Sequence, residues 1–398
     1  MNSRESLELN RWLPRGWRDK ELRHMPRYPQ EDSLTDVTTS LSRLPGLVDA
    51  AEVHSLKAEL AAAGEGRMFV LQLGNSNERF EDASSGLVSE HMKSLESVRK
   101  YLALMLGKPV LPIGLVAGNY AKSCAHPTEE IDGITVTSYY GDMANEISPD
   151  PRGRNPDASR MLMAYEAALQ SLRSIRHGQF KAYTSHEGAN LHFEEALVRR
   201  GSVTDGFYAS STHLLWLEGI NLFSGSGYLE FLRGVLNPIG IRVGPTLAPA
   251  DLLSTYMLLN PNKEPGKIVV LTSLGAKVSA LRDFIHVLRE AAAPVVWMCD
   301  PLWENMVTRR ADSDASVSDV IAEVEKTALL HADEGGQLAG LRLEVEHDPF
   351  IDKASRSGCE RGSWLRNENG ISLRSHGLDF LQALHVCSNL ARAYKGIR

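Results

Sequence analysis

Residues 237–245 read Asn-Pro-Ile-Gly-Ile-Arg-Val-Gly-Pro, a short apolar run that carries one cation and is closed on both sides by proline and glycine. This is the pattern of a strand buried on both faces, and its single charged side chain, Arg242, must then meet a partner. A helical pattern follows at Ala248–Leu259, so strand gives way to helix. The same beat runs along the chain. Further strands are expected at Met68–Leu73, Val110–Ala117, Phe180–Ser185, Leu214–Leu217, Ile268–Ser273, Val295–Cys299 and Leu341–Val345. Helical periodicity falls at Leu47–Ala63, Ser89–Leu106, Asp157–His177, Tyr228–Leu236, Ala276–Ala292, Val317–His331 and Gly377–Tyr394. Eight short apolar strands alternating with amphipathic helices predict an α/β fold, a (β/α)8 TIM barrel. The competitor is a doubly wound open sheet, which brings a glycine-rich phosphate turn after its first strand. The turn here, Gly74-Asn75-Ser76-Asn77, lacks that signature, so the barrel is the reading.

Length leaves two domains or one large barrel open, and the count of beats decides for the barrel over residues 46–398. Residues 1–45, rich in proline and charge, form an N-terminal extension. Trp12 and Trp17 are its expected anchors on the barrel or on a dimer partner. A net charge of −7 gives no support for binding nucleic acid or an anionic membrane. The basic pairs Arg199-Arg200 and Arg309-Arg310 lack aromatic interleaving and read as solvated faces. The four cysteines are scattered without CxxC spacing, which argues against a zinc site or a disulfide framework. The first residues lack the apolar core of a signal peptide, and no run approaches the roughly 18 to 20 residues that span a bilayer. A cytoplasmic protein is expected.

Barrel chemistry gathers at the C-terminal ends of the strands. Those ends carry Ala117-Gly118-Asn119-Tyr120-Ala121-Lys122, Gly141-Asp142-Met143-Ala144-Asn145, Tyr183-Thr184-Ser185-His186-Glu187, the run from Glu230 to Pro245, Leu259 to Ile268, and Cys299-Asp300-Pro301. In these motifs and their order, from about Trp12 to the C-terminus, the chain resembles the class II (plant-type) 3-deoxy-heptulosonate 7-phosphate synthases, the DAHP synthases.

The resemblance implies a barrel that joins phosphoenolpyruvate to erythrose 4-phosphate on a divalent metal. It implies four metal ligands: a cysteine, a histidine, a glutamate and an aspartate. Here the cysteine position is Ser76, the histidine position is Trp303, and the glutamate is kept as Glu344. The aspartate position falls within Asn369-Gly370. A hydroxyl is a poor ligand beside a thiolate, and an indole offers no lone pair. The expectation is therefore no metal and no cofactor. The substrate cations change as well: family arginines fall on Leu115, Tyr140 and Ser273, and the phosphate-binding Pro-Arg-Ser falls on Ser123-Cys124-Ala125. Lys122 and Trp216 are kept, and Arg242 replaces a lysine.

Several roles stay open at this point. Lys122 and Arg242 either hold one anionic group of a ligand or pair with neighbouring carboxylates such as Glu344. Glu344 is a general base with a raised pKa or a salt-bridge partner. His186 and Lys122 are the other candidates for proton transfer, and for His186 and its neighbour Glu187 a hydrogen-bonding role in the scaffold is the favoured alternative to catalysis. Trp303 is a plug or an aromatic wall for a flat ligand. Ser76 and Cys124 are nucleophiles by position, but no histidine can be set beside either. Asp142, Asn145 and Asp300 are expected to hold loops. The expected ligand set is Lys122, Arg242, Trp216, Trp303, Tyr140, Ser76, Cys124 and Ser273.

The replacements cluster at strand ends while the packing motifs stay intact. That pattern favours a repurposed, metal-independent enzyme of bacterial specialised metabolism acting on a small molecule with one anionic group. The alternatives are a non-catalytic homologue that docks on a partner, and a DAHP synthase with an altered site. The family's habit of assembly implies a homodimer or a higher homo-oligomer.

Overall fold

A computed structural model describes residues 12–201, 206–307, 317–345 and 377–397. Eight parallel strands close into a barrel: β1 (Phe69–Gly74), β2 (Val110–Leu115), β3 (Tyr183–Glu187), β4 (Leu214–Leu217), β5 (Ile239–Val243), β6 (Ile268–Thr272), β7 (Val296–Cys299) and β8 (Gly340–Glu344). Each strand pairs with its neighbours in the chain, and β8 closes on β1 in a register that runs from Val70 opposite Gly340 to Gly74 opposite Glu344. The strands read as near-continuous apolar runs because one face packs on helices and the other fills the barrel. The (β/α)8 architecture is the one the beat predicts.

The floor of the barrel is filled by a helix. Helix α2 (Ala50–Gly64) sends Leu56, Leu60 and Ala63 into one cluster with Val70, Leu111, Leu214, Val269 and Val296 from inside the strands. Its start is fixed by a capping box: the Asp49 carboxylate accepts the Glu52 N–H at 2.8 Å, and the Glu52 carboxylate accepts the Asp49 N–H at 3.0 Å. Asp49→Ala should cost about 1 kcal/mol of stability. A urea midpoint that does not move would mean that barrel packing alone sets where this helix begins.

The described part of the extension lies on the flank of its own barrel. Trp12 packs on Phe207 and Phe231 and donates its indole N–H to the Glu230 carbonyl at 2.9 Å. Trp17 is buried and donates to the Glu195 carboxylate at 2.9 Å. Helix α1 (Glu31–Arg43) packs beside α4 (Arg160–His177) and α5 (Leu191–Ala196). Further on, residues 21–28 reach the rim, where His24 Nδ1 donates to the Cys124 carbonyl at 3.0 Å.

Among the segments that differ from the sequence reading, three bear on the fold. β3 runs Tyr183–Glu187 instead of Phe180–Ser185, because Phe180 and Ala182 pack against the outer core before the strand begins. The expected helix at 276–292 is a 3-10 turn, Gly275–Ala280, followed by α8 (Leu281–Glu290). A hairpin that periodicity had not flagged, Thr128–Ile131 with Ile134–Thr137, turns at Asp132-Gly133, a dipeptide suited to two-residue hairpin loops.

Candidate active site

Strand alternation sends Trp216, Arg242, Arg342 and Glu344 into the barrel, and Glu218 and Asp300 follow at the ends of β4 and β7. Together they form a network that crosses the mouth. Arg242 Nη1 donates to Glu218 Oε1 at 2.7 Å, and its Nη2 lies 2.9 Å from Asp300 Oδ2. Arg342 Nε lies 3.3 Å from that same Asp300 oxygen, and its Nη2 is 3.4 Å from Glu344 Oε1. The Ser76 hydroxyl closes the chain by donating to Glu344 Oε1 at 2.6 Å.

Aromatic rings separate the cations. The guanidinium carbons of Arg342 and Arg242 lie 4.2 and 5.0 Å from the Trp216 ring centre, and Arg242 sits 4.4 Å from Trp303. Trp216 has room because residue 240 is glycine: a Cβ there would come within 2.9 Å of Trp216 Cβ. Trp303 is 36% exposed, so one side of its ring faces outward from the mouth. Two guanidiniums face three carboxylates, and all five side chains are buried. Burial and the nearby Arg242 charge lower the pKa of Arg342. Burial raises that of Glu218 against the pull of both arginines.

A second group occupies the β2–β3–β4 side. Burial, and then the Glu218 charge, push the Glu187 carboxyl up to about 8, opposed by a hydrogen bond from the Ser123 hydroxyl. That hydroxyl donates to Glu187 Oε1 at 2.5 Å and accepts the Asn221 amide at 2.8 Å. Lys122, the residue before Ser123, lies with its ammonium 5.0 Å from the Tyr139 ring centre. It makes no ion pair with a carboxylate among the described residues. Burial lowers its pKa, while Cys124, Glu129 and Glu187 pull the other way. Cys124 donates its thiol to the Tyr139 carbonyl at 3.3 Å, and burial pushes its pKa up to about 12, so it is not a ready thiolate. Burial also takes Tyr140 up to about 12.

The remaining candidates lie elsewhere. His186 alternates with Glu187 and so faces outward, where its Nε2 meets Glu194 Oε1 at 2.8 Å. Glu194 also accepts the Ser211 hydroxyl at 2.5 Å. The imidazole is packed so closely on Gly118 that a Cβ at 118 would lie 2.1 Å from Nδ1. Ser273 Oγ accepts the Glu304 N–H at 2.9 Å, which ties it to helix α9 (Pro301–Val307). Asp142 and Asn145 hold the 138–154 loop: Asp142 meets Arg79 at 2.7 Å, and Asn145 bonds the backbone of residues 138, 140 and 154. Asn369-Gly370 lies outside the described residues.

Glu218 escaped the sequence reading, and so did two further features. Arg342 stands two places before Glu344, so alternation puts both on one face, and that signal was available. The other is Glu78, which accepts the N–H groups of Ala117, Gly118 and Asn119 at 3.0, 3.0 and 2.8 Å. Three successive N–H groups can converge on one carboxylate because Ala117 takes a φ of 65°. β2 accordingly stops at Leu115, short of the expected Ala117.

The described residues do not fit the metal that the resemblance implies. Among them no group of three or more His, Cys, Asp or Glu side chains is placed to hold an ion. Glu344 is already engaged by Ser76 and Arg342, and the latter charge would oppose a metal cation.

A closed eight-stranded parallel barrel with its ionisable side chains gathered at the strands' C-terminal ends is the architecture of a barrel enzyme. The chain belongs to the class-II DAHP synthetase family, whose model matches residues 12–182 and 176–353. It is 30% identical to the phospho-2-dehydro-3-deoxyheptonate aldolase of Neurospora crassa, over 86% of each chain. It is 27% identical to the protein of that name from Streptomyces coelicolor, over 84% of this chain and 87% of the other. A probable chloroplastic phospho-2-dehydro-3-deoxyheptonate aldolase of Catharanthus roseus is 28% identical, over 84% and 76%. No described helix is long and apolar enough to cross a membrane.

Proposed function

We propose that this family member is a metal-independent enzyme acting on one small molecule with a single anionic group, held by Lys122 with Glu187 as the proton donor. The observation that carries this reading is the division of charge in the mouth. Arg242 and Arg342 are paired with Glu218, Asp300 and Glu344, whose three negative charges offset what the two guanidiniums could offer a phosphate. Lys122 is a mouth cation without a carboxylate partner among the described residues, and burial pushes the Glu187 carboxyl beside it up to about 8, which favours the protonated form near neutral pH. One cation and one acid suit one anion. Two phosphorylated substrates would need more.

The test has two arms. Wild type supplied with phosphoenolpyruvate, erythrose 4-phosphate and Mn²⁺ should form no heptulosonate above background. Formation at ordinary enzymatic rates would instead give this chain the activity in its relatives' names. In the second arm, small carboxylates and monophosphates are screened by thermal shift and calorimetry. A ligand that binds wild type should lose about tenfold or more in affinity in Lys122→Met, the loss of one charge-assisted hydrogen bond. Equal affinities would move the anion away from Lys122.

The crowded centre of the mouth also supports a second reading, a non-catalytic homologue that docks on a partner protein. Two of the clefts, about 330 and 400 Å³, lie on the flanks: one beside Leu47, Glu52 and Arg176, the other between α1 and His192. If no ligand in the screen binds, this second reading takes precedence.

A further inference from the structure

In relatives, the resemblance implies, the carboxylate at the position of Glu344 holds a divalent cation. Here that carboxylate meets a cation belonging to the chain itself. Arg342 precedes it by two residues on β8, so both side chains project into the barrel. Arg342 contacts Glu344 at 3.4 Å through Nη2 and Asp300 at 3.3 Å through Nε. It is wholly buried, and the Trp216 ring packs 4.2 Å from its guanidinium carbon. Ser76, at the place of the cysteine ligand, gives its proton to the same Glu344 oxygen at 2.6 Å. A proton donor and a fixed positive charge therefore already occupy the carboxylate that a metal would need. A second charge, Arg242, stands on the same indole.

We infer that Arg342 is a built-in substitute for the metal ion: its guanidinium neutralises Glu344 and Asp300, ties β7 to β8, and keeps divalent cations out of the mouth. An ordinary ion pair on a mobile side chain could swing aside for a metal. This one is wholly buried between two carboxylates and the indole, so swinging aside would strip its charge from both carboxylates. The inference rests on the metal independence proposed above and makes no use of Lys122.

The experiment compares wild type, Arg342→Ala and Arg342→Lys in EDTA, in millimolar Mn²⁺ and in millimolar guanidinium chloride. Melting points and the metal retained after desalting are the readouts. Wild type and Arg342→Lys, which keeps the charge, should retain no stoichiometric Mn²⁺ and show no Mn²⁺-dependent shift. Arg342→Ala leaves a hole between two carboxylates, so it should melt lower in EDTA and recover by several degrees when either cation fills the hole. Retention of Mn²⁺ by wild type, or indifference of Arg342→Ala to both cations, overturns the inference. If Arg342→Ala does not accumulate folded, expression in Mn²⁺-supplemented medium makes the same comparison. Recovery of folded protein there supports the inference, and no recovery overturns it. Mn²⁺ retention without heptulosonate formation removes this inference and leaves the Lys122 reading standing. Heptulosonate formation removes both. A ligand screen that fails touches only the Lys122 reading.

Discussion

Replacing Arg242 with methionine should destabilise the protein by about 3–5 kcal/mol, the usual cost of breaking a buried ion pair by removing one partner. Methionine fits the space between Trp216 and Trp303 but brings no charge. Glu218 then loses its 2.7 Å hydrogen bond, and Asp300 keeps only Arg342. The sign of the pH dependence follows. Glu218 already has its pKa raised by burial, and without Arg242 the rise must be larger. A raised carboxyl pKa gives stability that is complete below the unfolded value and is lost as pH rises through the folded one. The penalty in the variant should therefore shrink toward pH 5 and grow toward pH 8. Urea denaturation across that range checks it, with m unchanged if the native state keeps its compactness. Arg242→Met/Glu218→Gln should recover part of the loss, because it removes the orphaned charge together with its cause. A penalty below about 1 kcal/mol at every pH would mean that the guanidinium is not what ties the mouth together.

The barrel could be read from the sequence because its strands are buried on both faces. Ile268–Thr272 and Leu214–Leu217 are short apolar runs bounded by breakers, and nothing local competes with them. Phe180 and Ala182 misled for the same reason, since an apolar residue packing outside the barrel looks like one packing within it. The hairpin was hidden because Glu129, a charged residue, is buried on it. It pairs with Arg154 from beyond the turn, and periodicity carries no trace of such a partner. The mouth divides along the same line. A lone arginine in the run at 237–245 announces that a partner exists. Which partner it is depends on the barrel bringing β4 and β7 to either side of β5 and β6. Arg342 was legible through its alternation with Glu344, but its partner Asp300 comes from the end of β7, which only the closed barrel brings beside β8. Which candidates face the mouth also had to wait for the fold: a shift of the β3 start leaves the parity of Tyr183-Thr184-Ser185-His186-Glu187 unfixed, and parity sends Glu187 inward and His186 out.

Glu187 supplies the second large effect, and its direction is opposite. In the folded chain its carboxyl is pushed up to about 8 by burial and by Glu218, against an ordinary value of 4.5. Between those two values the folded state holds a proton that the unfolded state has released. Stability from this group is therefore complete below about 4.5 and is lost as pH rises through about 8, by at most roughly 1.4 kcal/mol per pH unit. Glu187→Gln keeps the shape and an oxygen for the Ser123 hydroxyl but cannot ionise. It should match wild type near pH 4.5 and become the more stable protein by a few kcal/mol at pH 8 and above. Other groups titrate over the same range, so the quantity to follow is the difference between the two denaturation curves from pH 5 to 9. A difference that stays flat would mean that Glu187 is already ionised in the folded protein, and a carboxylate in that state has no proton to give a ligand on Lys122. A difference that widens with pH would establish a neutral acid, held by Ser123 and Asn221 beside an unpaired ammonium, which is what proton donation in this mouth requires.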